Sequence, residues 1–346
     1  MGFSPDVPLG LSVDPDEAAP HGGDLGAARR QFPGAPEPFI DLSTGINPRP
    51  YPLPHLPVEV FARLPEADAL AELAIVAARG YGAPSAACVV PAPGTQILLP
   101  LVAGVIPVGR AAVVVPSYPE HARAAALAGH QVEAVRDIAD CGDADIVILG
   151  NPNNPDGRLL DRASLIALAH KLSARGGVLV VDEAFMDVGP PAASLAPDVL
   201  RANIVVLRSF GKFFGLAGLR LGFALAAPAL AARLTATLGP WAVSGPALAV
   251  GTKALADAAW IDQTRRELAQ DAQKLDAVLV SAGLDIIGGT SLFRLARFSA
   301  APALFEKLGR AGILVRRFPD HAEWLRFGLP ADEEAWRRLA GALASG

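Results

Sequence analysis

The chain has 346 residues, of which 51% are hydrophobic and 19% charged, with a formal net charge of −5. That supplies apolar material for a large core and two structural units, and the acidic balance without basic runs excludes a nucleic-acid footprint. Two cysteines, Cys88 and Cys141, stand far apart with no Cys-x-x-Cys or Cys/His cluster, so neither a disulfide framework nor a metal site is expected and a reducing cytoplasm is the natural compartment.

The start, Met1-Gly2-Phe3-Ser4-Pro5-Asp6, lacks the basic and apolar segments of an export signal. Residues 1–57 are rich in Pro and Gly with little periodicity and read as an extended N-terminal arm. Helical spacing of Ala, Leu and Ile from Ala67 to Arg79, followed by Gly80, predicts a helix with a glycine stop. Ile97 to Pro116 is apolar enough to raise the question of a membrane span. Pro100, Pro107, Gly109 and Arg110 divide it into a short helix and a separate Val113-Val114-Val115 strand, and no membrane partner is expected.

Strands and helices then alternate. Val113 to Val115, Ile146 to Leu149, Val178 to Val181 and Ile204 to Leu207 are short β-branched runs of the kind buried on both faces, with helical stretches such as Ser164 to Ser173 between them. This pattern predicts an α/β unit with a mainly parallel sheet covered by helices. After Leu221-Gly222-Phe223 comes a long Ala/Leu/Arg-rich helical stretch to about Ala282. Short strands near 284–287, 292–298, 313–316 and 324–327 and a closing helix follow, together a smaller α+β unit. The expected division is an arm over 1–57 that packs with the small unit, a large unit over 58–228 and a small C-terminal unit over 229–346.

Ligands of open α/β sheets bind beyond the carboxyl ends of the strands, so the residues just after each apolar run are the place to look for function. Ser117-Tyr118-Pro119, Asn151-Pro152-Asn153-Asn154-Pro155, Asp182-Glu183 and Arg208-Ser209-Phe210-Gly211-Lys212 stand there. Taken singly, each has an ordinary structural explanation as a turn, a helix cap or a solvated loop. Jointly they supply what pyridoxal 5'-phosphate (PLP) needs: an amine to carry the cofactor, Lys212; an anion for its pyridine nitrogen, Asp182; and an arginine for its phosphate, Arg220. A glycine turn at Gly94-Thr95-Gln96 opening a helix offers N–H groups to the same phosphate, and Ser209 can complete the cradle. A nucleotide P-loop is excluded because Val206 stands where its first glycine belongs and Phe213 follows Lys212. The glycines from 215 to 222 have the wrong spacing for a dinucleotide fingerprint.

Asn153-Asn154-Pro155-Asp156-Gly157, Asp182-Glu183-Ala184-Phe185 and Ser209-Phe210-Gly211-Lys212 with Gly218-Leu219-Arg220-Leu221-Gly222 resemble the signatures of fold-type I PLP enzymes of the class I/II aminotransferase group, in order and spacing, over roughly residues 20–330. The resemblance implies a seven-stranded, mainly parallel large sheet, a homodimer with shared active sites, Tyr118 stacked on the cofactor ring and Asn154 bonded to its 3'-oxygen. Within the group, His21-Gly22-Gly23-Asp24 and Asp41-Leu42-Ser43-Thr44-Gly45-Ile46-Asn47-Pro48 are similar to the substrate-facing arm of threonine-phosphate decarboxylases of cobalamin synthesis, relatives of the histidinol-phosphate aminotransferases. Phe185 stands where the aminotransferases usually carry Tyr. By this likeness His21, Gly22 and Asn47 face a small phosphorylated amino-acid substrate, and Arg316 and Arg326 match positions that hold its carboxylate or phosphate. The alternatives are an aminotransferase acting on histidinol phosphate or an aromatic amino acid, and a non-catalytic regulator built on the same fold. The chain has Leu64-Pro65-Glu66 where relatives have a Tyr-Pro pair whose Tyr reaches the neighbouring subunit.

Overall fold

The structure is a computed structural model that describes residues 21–344. The first twenty residues, which carry the start of the arm and the segment read for an export signal, lie outside the described residues, as do 345 and 346.

The strand-and-helix alternation produces the expected sheet. Its strands are β2 (Val89–Ala92), β3 (Arg110–Val114), β4 (Gln131–Val135), β5 (Ile146–Gly150), β6 (Val178–Asp182), β7 (Ile204–Ser209) and β8 (Gly222–Leu225), in the order β2-β8-β7-β6-β5-β3-β4. Neighbours from β7 through β4 pair in parallel, and β8 runs antiparallel to both β7 and β2. Every residue of β5 is buried, as apolar runs covered on both faces require. β2, β4 and β8 were not among the runs expected from sequence. β2 is short and contains Pro91, β4 alternates polar with apolar at the sheet edge, and β8 merges with the glycine motif ahead of it.

The covering helices are α3 (Ala67–Tyr81), α4 (Thr95–Gly104), α5 (Glu120–Leu127), α6 (Arg162–Ser173), α8 (Pro228–Leu238) and α9 (Gly245–Ala256), with the short helices α2 (Glu59–Ala62) and α7 (Phe210–Phe213) between. Asp161 caps α6 by accepting from Ser164 N at 2.9 Å. The stop of α3 lies two residues beyond the expected one. Gly80 continues the helix, and Gly82, at φ 74, takes the left-handed conformation that ends it. The long helical stretch after 222 is three helices, α8, α9 and α10 (Ala258–Ser281), the last capped by Asp257. α8 packs by α4 and α9 by α3, so the boundary expected at 228 falls ahead of two helices that lie with the large sheet. No helix among the described residues is long and apolar enough to cross a membrane.

The second sheet has the order β1-β11-β12-β10-β9 and joins β9 (Asp285–Thr290), β10 (Phe293–Arg297), β11 (Ile313–Phe318) and β12 (His321–Gly328) to β1 (Ile40–Leu42), with α11 (Ala301–Arg310) and α12 (Glu333–Ala344) packed nearby. β1 comes from the arm, whose described part therefore packs with the small unit. It also carries the helix α1 (Leu25–Gln31), capped by Asp24, and pairs Ile40 with Ile313 in parallel. Phe32, 4% exposed, anchors it. A Cβ at Gly309 on α11 would overlap the Phe32 ring. Gly309→Ala gains about 1 kcal/mol of helix propensity against about 1–3 kcal/mol of overpacking, and a displaced ring makes the second term win. Denaturant unfolding is expected to show a net loss of up to about 2 kcal/mol.

Candidate active site

Parallel strands β3, β5, β6 and β7 end on one rim, and the register fixes what meets there. Gly150 lies opposite Asp182, Asp182 opposite Leu207, and Ser209 opposite Gly222. Because β8 returns antiparallel, the residues just before it, Arg220 among them, come to the same rim. β2, paired Ala92 to Gly222, delivers Gly94 there too. Tyr118, Asn154, Asp182, Ser209, Lys212, Arg220, Gly94, Thr95 and Gln96 are thus gathered at one end of the sheet.

Asp182 closes β6, and its carboxylate is held from two sides. Oδ2 lies 2.9 Å from Nε2 of His121, and Oδ1 accepts from Ala184 N at 3.0 Å. His121, 1% exposed and on α5, was not foreseen. It stands three residues after Tyr118, and a histidine near a strand end was the available signal. Lys212 sits on α7 one turn from the end of β7, and burial lowers its amine to about 8, with the nearby Arg326 guanidinium adding to the effect and Asp182 opposing it. Such an amine is still mostly protonated at pH 7, but roughly a tenth of it is neutral there, far more than for an ordinary lysine, and the neutral form can act as a nucleophile.

Gly94 (φ 87) precedes α4 and leaves the Thr95 and Gln96 N–H groups at an open helix start. The Arg220 guanidinium lies against it, so close that a Cβ on Gly94 would come within 2.6 Å of Nη2. Arg220 itself adopts a left-handed φ of 54 and donates Nη1 to Ala217 O at 3.0 Å, which turns the side chain toward α4. Gln96 commits only its side chain elsewhere. Its amide nitrogen donates to Glu120 at 2.7 Å and its oxygen accepts from the Tyr118 hydroxyl at 3.0 Å, which leaves only the backbone N–H for an anion. The Tyr118 hydroxyl is raised to about 12 by burial, with the Glu120 carboxylate next in effect, so it remains a donor.

On the substrate side, Arg316 of β11 and Arg326 of β12 are direct cross-strand partners. Like charges so placed repel unless an anion joins them. Arg326 is 7% exposed and donates to two neutral acceptors, Asn154 Oδ1 and Ser43 O, the latter at 2.8 Å. Burial and Arg316 together lower it to about 10. Arg316 is also lowered by burial. Asn154, with its oxygen taken by Arg326, keeps its amide nitrogen to donate. Gly22 packs on Ser43 O, where a Cβ would approach to 2.5 Å. His21 Nε2 lies 3.3 Å from Glu120, and its ring centroid is 5.7 Å from that of Tyr118. Asn47 is otherwise employed. It is 2% exposed, donates Nδ2 to Phe213 O at 2.9 Å, accepts from Arg49 N at 2.9 Å, and donates its backbone N–H to Lys212 O at 2.9 Å. It braces the segment that carries the lysine. Phe185 packs edge-on to Phe293 at 5.0 Å.

This donor set fits PLP. The readily deprotonated amine of Lys212 suits its aldehyde, Asp182 suits a protonated pyridine nitrogen, Asn154 and Tyr118 suit its 3'-oxygen and ring, and Arg220 with the open start of α4 across a glycine suits its phosphate.

The comparisons agree with that geometry. The profile of the family described as aminotransferase class I and II matches residues 66–343. The chain is 44% identical to a threonine-phosphate decarboxylase of Sinorhizobium sp, covering 94% of this chain and 97% of that one. It is 43% identical to a threonine-phosphate decarboxylase of Pseudomonas aeruginosa, covering 93% and 96%. Among solved structures, the histidinol-phosphate aminotransferase of Sinorhizobium meliloti in complex with pyridoxal-5'-phosphate superposes with a TM-score of 0.81 at 22% identity, covering 99% and 97%. The L-threonine-O-3-phosphate decarboxylase of Porphyromonas gingivalis superposes with a TM-score of 0.74 at 22% identity, covering 88% and 98%, and these likenesses carry the fold-type I architecture. The chain belongs to the aminotransferase class I and II family.

Proposed function

We propose that this chain is a PLP-dependent decarboxylase that converts L-threonine O-3-phosphate to (R)-1-amino-2-propanol O-2-phosphate and CO2, a step of cobalamin biosynthesis. The observation that carries the reading is the opposed pair Arg316 and Arg326, the latter near Lys212, which suits an amino acid with two anionic groups. The two relatives above 40% identity that span nearly the whole chain, both named threonine-phosphate decarboxylase, support it.

PLP, when bound, supplies an electron sink for the pair left on Cα by the departing carboxylate. The chain's residues do the rest. Asp182, kept in place by His121 and Ala184 N, holds negative charge where a protonated ring nitrogen needs it. Arg220, Gly94, Thr95, the Gln96 N–H and Ser209 take the cofactor phosphate. Arg316 and Arg326, with His21 and Gly22 from the arm, take the substrate's two anions. Arg326 is immobilised by Asn154 and Ser43 and can therefore fix the direction in which the carboxylate leaves. Lys212 Nζ can hold a proton and deliver it to Cα, and its lowered affinity favours release.

A homodimer goes with this reading. Leu53, Val58, Phe61 and Leu64 are each between 64% and 74% exposed within one stretch, and α2 inside it buries no residue. Such a segment needs cover, and a second copy supplies it. Buried, unpaired Cys88 and Cys141 suit a cytoplasmic protein.

The deciding experiment supplies threonine phosphate and PLP with no keto-acid acceptor. CO2 in amounts well above the enzyme concentration is expected. No CO2, together with amine transfer from histidinol phosphate to a keto acid, would sink the decarboxylase reading in favour of an aminotransferase.

A further inference from the structure

Glu120 takes no part in the chemistry assigned above, yet three parts of the site meet on it. It opens α5 two residues beyond Tyr118 and is 3% exposed. A carboxylate this buried must be matched by partners. Its Oε2 accepts from Gln96 Nε2 at 2.7 Å and from Arg123 Nη1 at 3.2 Å, and its Oε1 lies 3.3 Å from Nε2 of His21. An acidic residue in a first turn ordinarily serves its own helix, but no side chain caps α5. The Glu120 carboxylate faces α4 and the arm instead.

Those contacts constrain their neighbours. With Gln96 Nε2 held by the carboxylate, Gln96 Oε1 is the atom left for the Tyr118 hydroxyl, 3.0 Å away. An unbroken series therefore runs from His21 on the arm through Glu120 and Gln96 to the Tyr118 ring. The His21 and Tyr118 rings also lie side by side, their planes inclined at 44°.

We propose that Glu120 is a positioning residue that joins docking of the N-terminal arm to the setting of the Tyr118 ring in the cofactor pocket. The inference rests on the reading of that pocket as a PLP site and is independent of which substrate it takes. When Tyr118 is fixed by the cofactor, Gln96 and Glu120 are fixed with it, and His21 finds its acceptor already in place. Coupling of this kind is reciprocal, so a docked arm also favours the bound cofactor.

The test is hydrogen–deuterium exchange of the amides of residues 21–31, with and without PLP, after absorbance has confirmed loading. In the unmodified protein, loading is expected to slow arm exchange about fivefold or more. In Glu120→Gln that response is lost, and the visible circular dichroism of the bound cofactor changes because the Tyr118 ring is released. In His21→Ala, a change at a side chain 43% exposed, the arm response is lost while the fold is kept, so this variant decides the matter should Glu120→Gln fail to fold. A protein that takes up no PLP fails the pocket reading itself. A loaded protein whose arm exchange is unmoved by PLP, or is slowed equally in His21→Ala, overturns the proposed coupling.

Discussion

Lys212→Ala is expected to yield colourless protein and to lower turnover by about 10⁴-fold or more. Among the described residues no other amine shares its position beyond β7, near Asp182 and braced through its carbonyl by Asn47. The same environment sets a pH dependence. Burial, first, and the Arg326 charge, second, disfavour the ammonium form and bring the amine to about 8 from an unfolded value near 10.5. The rate at which PLP attaches to apo protein, followed by the growth of visible absorbance, should therefore climb from pH 7 and level off above about 8, whereas an ordinary lysine would keep gaining to about 10.4. The sign for stability follows. The folded state carries the full penalty of a buried ammonium below pH 8, and this penalty fades as pH rises from 8 toward 10.5. Arg326→Leu removes the neighbouring charge and should move the attachment inflexion upward. A rate that climbs unchanged past pH 10 would show that the lysine is not buried as described.

Arg208→Ala should destabilise the fold by about 3–5 kcal/mol, because it leaves two carboxylates buried without their counter-ion. Arg208 on β7 donates to Glu183 Oε2 at 3.0 Å and to Asp187 Oδ1 at 2.6 Å, and its guanidinium lies 4.4 Å from the centre of the Tyr81 ring. Glu183, wholly buried, also accepts from Ser194 Oγ and Leu195 N, each at 2.7 Å. Burial raises its carboxyl, and Arg208 is the chief opposing influence. In the variant this carboxyl binds protons more readily folded than unfolded, so the deficit measured by denaturant unfolding should be larger at pH 8 than at pH 5. Equal deficits at both pH values would mean that the loss is one of packing. Asp182 immediately precedes Glu183 in the chain, so the ion cluster also anchors the strand end that presents Asp182 to the cofactor.

Much of the site was legible because strand ends are local in sequence. An apolar run followed by a polar group reads as a rim position, and Tyr118, Asn154, Asp182 and Lys212 all follow that rule. What joins them is not local. The contact between His121 and Asp182 depends on which face α5 presents to the sheet, and Arg326 reaches Asn154 and Ser43 from the far end of the chain. Asn47 and Gln96 show the converse. Their residue types suit a ligand, but tertiary packing commits their side chains elsewhere. Two glycines close together, Gly80 and Gly82, look equivalent as helix stops until backbone conformation separates them. The arm concealed α1 and β1 because its prolines and glycines mask short elements that tertiary pairing stabilises.

Pairing of Ile40 with Ile313 also imposes an order on synthesis. The strand that edges the second sheet leaves the ribosome long before its partner exists. At typical elongation rates the wait is on the order of tens of seconds. During that interval the nascent arm has no sheet to join, and its apolar anchor Phe32 has no α11 to rest on. The large sheet, whose strands are translated before β9 to β12, can form while the arm is still waiting.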